Sequence, residues 1–172
     1  TDPARRTAAE LRLAVQETMA DCAIAERHRV PLVHRAFVRR AVKFRNLFRL
    51  CAIDHATGTE RPMTCAKMFV ASVCVARYLR DKVGDSPSVG VWLPTSLGSA
   101  LANLALAYLG KTSVNLNYTA GPDACRSAAR QANLWLVITS KKFLSRVPFD
   151  LPPDMQCVFL EDVLAKTTTT QR

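Results

Sequence analysis

Apolar residues recur along this chain with two spacings, and each spacing predicts a different element. Leu11, Val15 and Met19 lie four residues apart, which is the spacing of one helix face. The stretches 89–93 and 134–139 are apolar almost throughout, as is typical of strands covered on both faces. The predicted helices are 8–26, 33–47, 65–82, 96–109, 122–132 and 141–144, and the predicted strands are 48–53, 60–63, 88–93, 112–116, 134–139 and 158–160.

The order of these elements predicts the fold class. From residue 88 onward, strands alternate with helices, and this order favours parallel strands joined by crossover helices. Two predicted helices precede the first strand. We therefore expect an α/β fold with a mostly parallel sheet and crossover helices, preceded by two N-terminal helices.

Composition narrows the class of protein further. The chain has 172 residues, 49% of them hydrophobic, which is enough for one domain with a core. No stretch reaches about 18 consecutive apolar residues, so we expect no transmembrane helix. The six cysteines form no CxxC pair and have no histidine at zinc-ligand spacing. We therefore expect no metal site, and we interpret the cysteines as small buried side chains in a reducing compartment.

The net charge of +10 is concentrated in one segment. No acidic residue lies between Glu26 and Asp54, a window that holds eight cations. The predicted helix 33–47 carries phenylalanines on one stripe and cations on another, an arrangement that suits an anionic membrane surface or an acidic protein. The candidate contact residues for a membrane or a carrier protein are Arg35, Phe37, Arg39, Arg40, Lys43, Phe44 and Arg45.

Two other interpretations of this basic helix stay open. In one, its phenylalanines pack on the protein's own domain while the cations remain solvated. In the other, the charge attracts a nucleic acid. The surface that carries the cations lacks the aromatic side chains that stack on bases, so we expect no nucleic-acid partner.

Short motifs exclude several chemistries. Gly110-Lys111-Thr112 resembles the end of a P-loop, but Ala105 stands where the first glycine is required, and the lysine follows a predicted helix. A helix C-cap explains this glycine and lysine. No histidine has an aspartate five residues later, so the acyltransferase HxxxxD pair is absent from the sequence.

One polar cluster follows a predicted strand. Asn115, Asn117 and Tyr118 lie at the carboxyl end of strand 112–116, and ligands of open α/β sheets bind beyond such ends. These three residues are therefore a candidate ligand edge. The alternative is that they serve as turn and cap residues before the helix at Pro122.

Three segments together resemble one family, the adenylate-forming enzymes of the acyl-CoA synthetase type. They are TCAKMFVASVCVARYLRD at 64–81, VGVWLPTSLGSALANLALAYLGKTSVNLNYTAG at 89–121 and SAARQANLWLVITSKKFL at 127–144. The resemblance covers about residues 34–162, and GKTSVNLNYTAG with SA..QA is closer to the acyl-[acyl-carrier-protein] synthetase / 2-acylglycerophosphoethanolamine acyltransferase branch. It implies a partial N-terminal subdomain at 31–166 and the tail of an acyltransferase domain or a linker at 1–30. The polar composition of 167–172 predicts a disordered tail.

The resemblance also implies a chemistry. Members of the family use ATP and magnesium to convert a carboxylate into an acyl-adenylate, which they transfer to a thiol. For this branch the partners would be a fatty acid, acyl carrier protein or CoA, and a phospholipid surface, at the cytoplasmic face of the bacterial inner membrane.

The family's glycine-rich phosphate loop, ribose-binding aspartate and catalytic lysine have no counterpart among these residues, and the threonine run 167–170 has no glycine. We therefore assign no catalytic, cofactor-binding or metal-binding residue, and we expect this chain to be inactive by itself. Whether the chain is itself an enzyme stays open. The alternative is a non-catalytic α/β module that binds acyl carrier protein or an anionic membrane through the basic helix.

Overall fold

The computed structural model describes residues 7–27, 32–56, 58, 60–147 and 155–163. The chain divides into two compact units, Thr1–Ala36 and Phe37–Arg172. The helices are α1 (Ala8–Arg27), α2 (Val33–Ala41), α3 (Phe44–Leu47), α4 (Cys65–Val83), α5 (Leu97–Tyr108), α6 (Pro122–Gln131) and α7 (Lys141–Leu144). The strands are β1 (Leu50–Asp54), β2 (Arg61–Thr64), β3 (Ser88–Val91), β4 (Thr112–Asn115), β5 (Leu136–Thr139) and β6 (Gln156–Phe159).

The first unit contains α1, which begins with a capping box. The Thr7 backbone N–H and hydroxyl donate to Glu10 Oε2 at 2.7 and 2.8 Å, and the Glu10 N–H donates back to Thr7 Oγ1 at 3.3 Å. The backbone hydrogen bond from Thr7, followed by that from its hydroxyl, lowers the pKa of Glu10. These bonds satisfy donors that the start of a helix leaves unpaired.

The predicted single helix 33–47 is wrong, because the structure breaks it after Ala41. Lys43 has an extended backbone (φ −63°, ψ 122°), and a new short helix begins at Phe44. The Asn46 side-chain amide donates to the Arg40 carbonyl at 2.9 Å, so that a carbonyl at the end of α2 is hydrogen-bonded to a residue outside that helix. The predicted continuous phenylalanine stripe is therefore interrupted.

The second unit contains a four-stranded parallel sheet in the order β4-β3-β5-β6. The α/β fold class is thus confirmed. Strands β1 and β2 form a separate antiparallel hairpin, in contact with α4.

Two groups of buried side chains lie on opposite faces of the sheet, because successive strand residues point to opposite sides. Leu136 and Ile138 pack with α4 and α5, whereas Val137 between them packs with Trp92, Cys125 and other residues of the opposite group. The strand is therefore covered on both faces, as its apolar sequence predicts.

None of the helices in the described part of the chain combines the length and the apolar character needed to cross a bilayer.

Candidate ligand-binding cleft

A cleft of about 290 Å³ opens beyond the carboxyl ends of β3, β5 and β6. The chain changes direction across the sheet at this position: β3 connects to β4 on one side, whereas β5 connects to β6 on the other. Ligands of open α/β sheets bind where the connections change direction in this way. The cleft is lined by Asp54, Ala56, Arg61, Leu93, Pro94, Ser96, Gly98, Ser140, Lys142, Phe143, Arg146, Leu160 and Glu161.

The start of α5 forms one wall of the cleft. Ser96 caps this helix: its hydroxyl oxygen accepts from the Ser99 N–H at 3.3 Å, and its O–H donates to the Pro94 carbonyl at 3.1 Å. Gly98 is the second residue of α5, and a Cβ at this position would come within 3.1 Å of the Leu160 side chain. A glycine therefore allows the helix to approach the residue that follows β6 closely.

A glutamate fixes the opposite wall. Glu161 Oε1 accepts from the Ser140 hydroxyl at 2.7 Å and from the Lys142 backbone N–H at 3.3 Å. Burial raises the pKa of Glu161, but the hydrogen bond from Ser140 and bonds from backbone N–H groups outweigh it, so that the pKa lies below its ordinary value. Its other oxygen, Oε2, is buried and has no hydrogen-bond partner among the described residues.

The charges of the cleft favour an anion. Arg61, Lys142 and Arg146 contribute three cations, and Asp54 and Glu161 contribute two carboxylates. The Glu161 carboxylate already accepts two hydrogen bonds from protein groups, whereas the three cations are exposed to solvent. Exposed cations beside a helix N-terminus can bind a carboxylate or phosphate group.

An aromatic cluster lies beneath the cleft. The rings of Trp92 and Phe143 meet edge to face at 5.0 Å, and those of Tyr118 and Phe143 at 5.2 Å. The Thr139 hydroxyl donates to the Trp92 carbonyl at 2.9 Å within this buried region and so ties the ends of β5 and β3 together.

The predicted ligand edge lies on β4, at the margin of the sheet. Asn115 exchanges two amide hydrogen bonds with Asn103 on α5, at 3.0 and 3.1 Å. The Asn117 side chain accepts from the Thr119 N–H and hydroxyl, and Tyr118 contacts Phe143. None of the three lines the cleft, and ligand binding by them stays a prediction.

The basic residues predicted from charge lie on α2, on α3 and in the segment between them. Arg35, Arg39, Arg40, Lys43 and Arg45 are exposed, and Phe37 is half-buried. The side chain of Phe44 lies outside the described residues. None of the five cations forms an ion pair with a described residue. Their contact with a membrane or a carrier protein stays a prediction.

Lys111 directly precedes β4 and so lies at the amino ends of the parallel strands, opposite the end that carries the cleft. Its Nζ donates to the Gly84 carbonyl at 2.7 Å, and Gly110 before it has a φ of +69°. The lysine therefore pairs with a carbonyl at the end of α4, and Gly110 adopts the left-handed conformation expected after α5.

The described residues contain no group of three histidine, cysteine or acidic side chains that could hold a metal ion.

The sequence interpretation missed Ser96, Ser140 and Glu161, although a signal was present. Each of them stands within a few residues after a predicted strand. Applying the strand-end rule to every strand, and not only to the one followed by asparagines, would have selected them.

Comparison with known proteins gives the class of fold. No family model matches the chain. The N-terminal subdomain of NpsA from Klebsiella oxytoca, in complex with 3-hydroxybenzoyl-AMSN, matches with a TM-score of 0.64 and 16% identity over 77% of this chain and 31% of that one. The fatty acid AMP ligase from Legionella pneumophila matches with a TM-score of 0.63 and 14% identity over 78% of this chain and 24% of that one.

A third match is NpsA-ThdA from Klebsiella oxytoca, an artificially fused adenylation-PCP di-domain of a nonribosomal peptide synthetase. Its TM-score is 0.64, with 16% identity over 77% of this chain and 25% of that one. The chain thus has the α/β fold of the N-terminal subdomain of adenylate-forming enzymes. It spans about a third or less of the length of each of these three structures.

Proposed function

We propose that this chain forms the first α/β part of an ATP-dependent ligase that converts a carboxylate into an acyl-adenylate. The observation that carries the proposal is the match of the sheet and its helices to the NpsA N-terminal subdomain over 77% of the chain. The cleft supports it independently, because it lies at the strand ends where the connections change direction and its exposed charged groups are cations.

The carboxylate is a fatty acid and the acceptor is the thiol of acyl carrier protein or CoA, as in the acyl-[acyl-carrier-protein] synthetase / 2-acylglycerophosphoethanolamine acyltransferase branch. The support is the motif resemblance at 64–81, 89–121 and 127–144, with the likeness to a fatty acid AMP ligase and to an adenylation-PCP fusion. In this proposal, 1–30 is a linker or the tail of an acyltransferase domain.

ATP supplies the adenylyl group, and the cleft would provide one wall of its site. A volume of about 290 Å³ lies at the lower limit of small-molecule pockets, roughly 300 Å³, so a nucleotide and an acyl chain need walls from outside this cleft. Arg61, Lys142 and Arg146 would orient a phosphate or carboxylate by charge. The described residues form no three-ligand group, so we assign magnesium no ligand among them.

The test is carboxylate-dependent exchange of labelled pyrophosphate into ATP, measured with a panel of fatty acids. It compares this chain with the polypeptide translated from the complete reading frame. We expect exchange from the complete polypeptide and none from this chain alone. Arg146→Ala in the complete polypeptide should lower the exchange rate, whereas Arg130→Ala, which removes an exposed cation on α6, should not. A complete polypeptide that exchanges with no carboxylate would refute the proposal.

We also propose that the protein lies peripherally on the cytoplasmic face of the bacterial inner membrane, through the cations of α2, α3 and the segment between them. The supporting observation is that these cations are exposed and unpaired among the described residues. Each cation near an anionic leaflet contributes about 1 kcal/mol.

Vesicle flotation tests this second proposal. We expect binding to phosphatidylglycerol vesicles, no binding to phosphatidylcholine vesicles and weakening by salt. The triple variant Arg39→Gln/Arg40→Gln/Lys43→Gln should lose binding, whereas the matched variant Arg77→Gln/Arg80→Gln/Arg130→Gln should retain it. Equal loss in both triple variants would mean that net charge alone is responsible.

The alternative is a non-catalytic module that binds acyl carrier protein. Titrating the chain with acyl carrier protein in the absence of vesicles distinguishes this alternative from membrane binding. Two results together would favour the module. The chain would bind the acidic carrier protein and lose this binding in the first triple variant, and the complete polypeptide would show no exchange activity. Salt-dependent binding to a DNA duplex without lipid binding would instead favour a nucleic-acid partner.

A further inference from the structure

The β1–β2 hairpin brings two cysteines together at its base. Cys51 lies in β1, and Cys65 is the first residue of α4, directly after β2. Leu50 pairs with Thr64, and the register shifts between Leu50 and Ala52, so that Cys51 is the extra residue of a bulge. The Cys65 N–H donates to the Arg49 carbonyl at 2.9 Å and holds the start of α4 against the start of β1.

Both cysteines are free thiols in this structure. The pairing of Leu50 with Thr64 makes Cys51 and Cys65 diagonal neighbours across the base of the hairpin, and Cys51 is exposed whereas Cys65 is half-buried. Burial, followed by the neighbouring Cys65 thiol, raises the pKa of Cys51. Because Cys51 is exposed, an oxidant in solution can reach its thiol, and the hairpin register places Cys65 beside it.

We propose that Cys51 and Cys65 are a reversible disulfide-modification site, oxidised by small-molecule disulfides such as glutathione disulfide. A thiolate of the pair attacks one sulfur of glutathione disulfide, and the first glutathione leaves as a thiol. The second cysteine loses its proton and attacks the resulting mixed disulfide, and the second glutathione leaves as a thiol. The chain loses two electrons and two protons, and the glutathione disulfide gains them.

The bond would close the loop 51–65, which carries Asp54, Ala56 and Arg61 of the cleft. Oxidation would therefore restrict the hairpin that supplies these cleft residues, and reduction would release it. This inference does not rest on the proposed ligase activity, since it concerns the thiols alone.

Peptide mapping gives a direct test on the native chain. The chain is equilibrated with mixtures of reduced and oxidised glutathione, its remaining thiols are alkylated, and it is digested with trypsin. Because trypsin cleaves poorly between Arg61 and Pro62, residues 50–67 remain one peptide that contains both cysteines. We expect this peptide unalkylated and about 2 Da lighter than its reduced form. Cleavage after Glu60 should then leave two segments held together by the bond.

Variants provide the control. Cys51→Ser and Cys65→Ser should each abolish the lighter peptide, whereas Cys74→Ser, on α4, should leave it unchanged. We expect the pair to oxidise at a glutathione disulfide concentration at least tenfold lower in the folded chain than in urea, because the fold holds the thiols together. The wild-type peptide map answers the question even if a serine variant fails to fold.

Three results would overturn the inference: glutathione adducts on Cys51 and Cys65 without an internal bond, bonds that involve other cysteines instead, or equal oxidation of the pair in folded and urea-unfolded chains.

Discussion

Ser140 donates a 2.7 Å hydrogen bond to Glu161 and so joins the end of β5 to the residues that follow β6. The Ser140 oxygen also accepts from the Phe143 N–H at 3.2 Å and caps α7. One hydroxyl therefore fixes a carboxylate at the wall of the cleft and begins the helix beside it.

The Ser140→Ala variant should lower the free energy of unfolding by about 1–2 kcal/mol near pH 7, because it removes a cap and a donor to a carboxylate. The pKa of Glu161 is lowered in the folded chain, so its contribution is present above its ordinary pKa of 4.5 and is lost as the pH falls through the folded value. Urea unfolding near pH 7 and near pH 3 should therefore show a smaller effect of the variant in acid.

The matched control for this prediction is Ser145→Ala, which removes only a 3.0 Å bond from an exposed hydroxyl to the Lys142 carbonyl. Its effect should be smaller and independent of pH. An effect of Ser140→Ala that is equally large in acid would show that Glu161 does not contribute through this bond.

Thr139→Val tests the link between β5 and β3. It removes the buried hydrogen bond to the Trp92 carbonyl at nearly constant volume, and we expect a loss of about 1–2 kcal/mol in the free energy of unfolding. Thr112→Val, at an exposed position of β4 whose side chain has no hydrogen bond to a described residue, should change stability by less than about 0.5 kcal/mol. Equal effects at both positions would contradict the assignment of the cost to this bond.

The sheet could be predicted from the sequence because its central strands carry an unambiguous signal. Val89, Val91 and the stretch 136–139 are buried, and a short apolar run bounded by turn residues is typical of a strand covered on both faces. The break within the predicted helix 33–47 could not be predicted from the sequence in the same way. The periodicity of residues 33–47 continues across the break, whereas the break depends on the extended backbone of Lys43 and on the bond from Asn46 to Arg40.

The cleft could be predicted only in part, because its position depends on the spatial order of the strands. The sequence places polar residues after several strands, but it does not state that β5 and β6 lie on the side of β3 opposite β4. Asn115 and Asn117 were predicted as part of a ligand edge because they are polar side chains at a strand end, yet β4 lies at the margin of the sheet. Glu161 and Ser140, which follow neighbouring strands, meet at the cleft.

Gly90→Ala should destabilise the sheet. A Cβ at this position of β3 would lie 2.8 Å from Val137 Cγ2 and 3.1 Å from Leu134 Cδ1, both in close-packed surroundings. We expect a loss of about 1–3 kcal/mol in the free energy of unfolding. Val137→Ala should also destabilise the chain, but the double variant should lose less than the sum of the two, since the smaller side chain makes room. Additive losses in urea unfolding would contradict the steric explanation.

Variants of Asn103 and Asn115 distinguish a structural role of this pair from ligand binding at the margin of the sheet. Two hydrogen bonds, at 3.0 and 3.1 Å, join these exposed amides between α5 and β4. The single variants Asn103→Ala and Asn115→Ala and the double variant form a cycle, from which we expect a coupling of about 0.5–1 kcal/mol by urea unfolding. A coupling near zero would show that the pair does not stabilise this edge. Because Asn103 is not among the predicted ligand residues, a ligand contact at Asn115 requires that Asn115→Ala weaken ligand binding more than Asn103→Ala does.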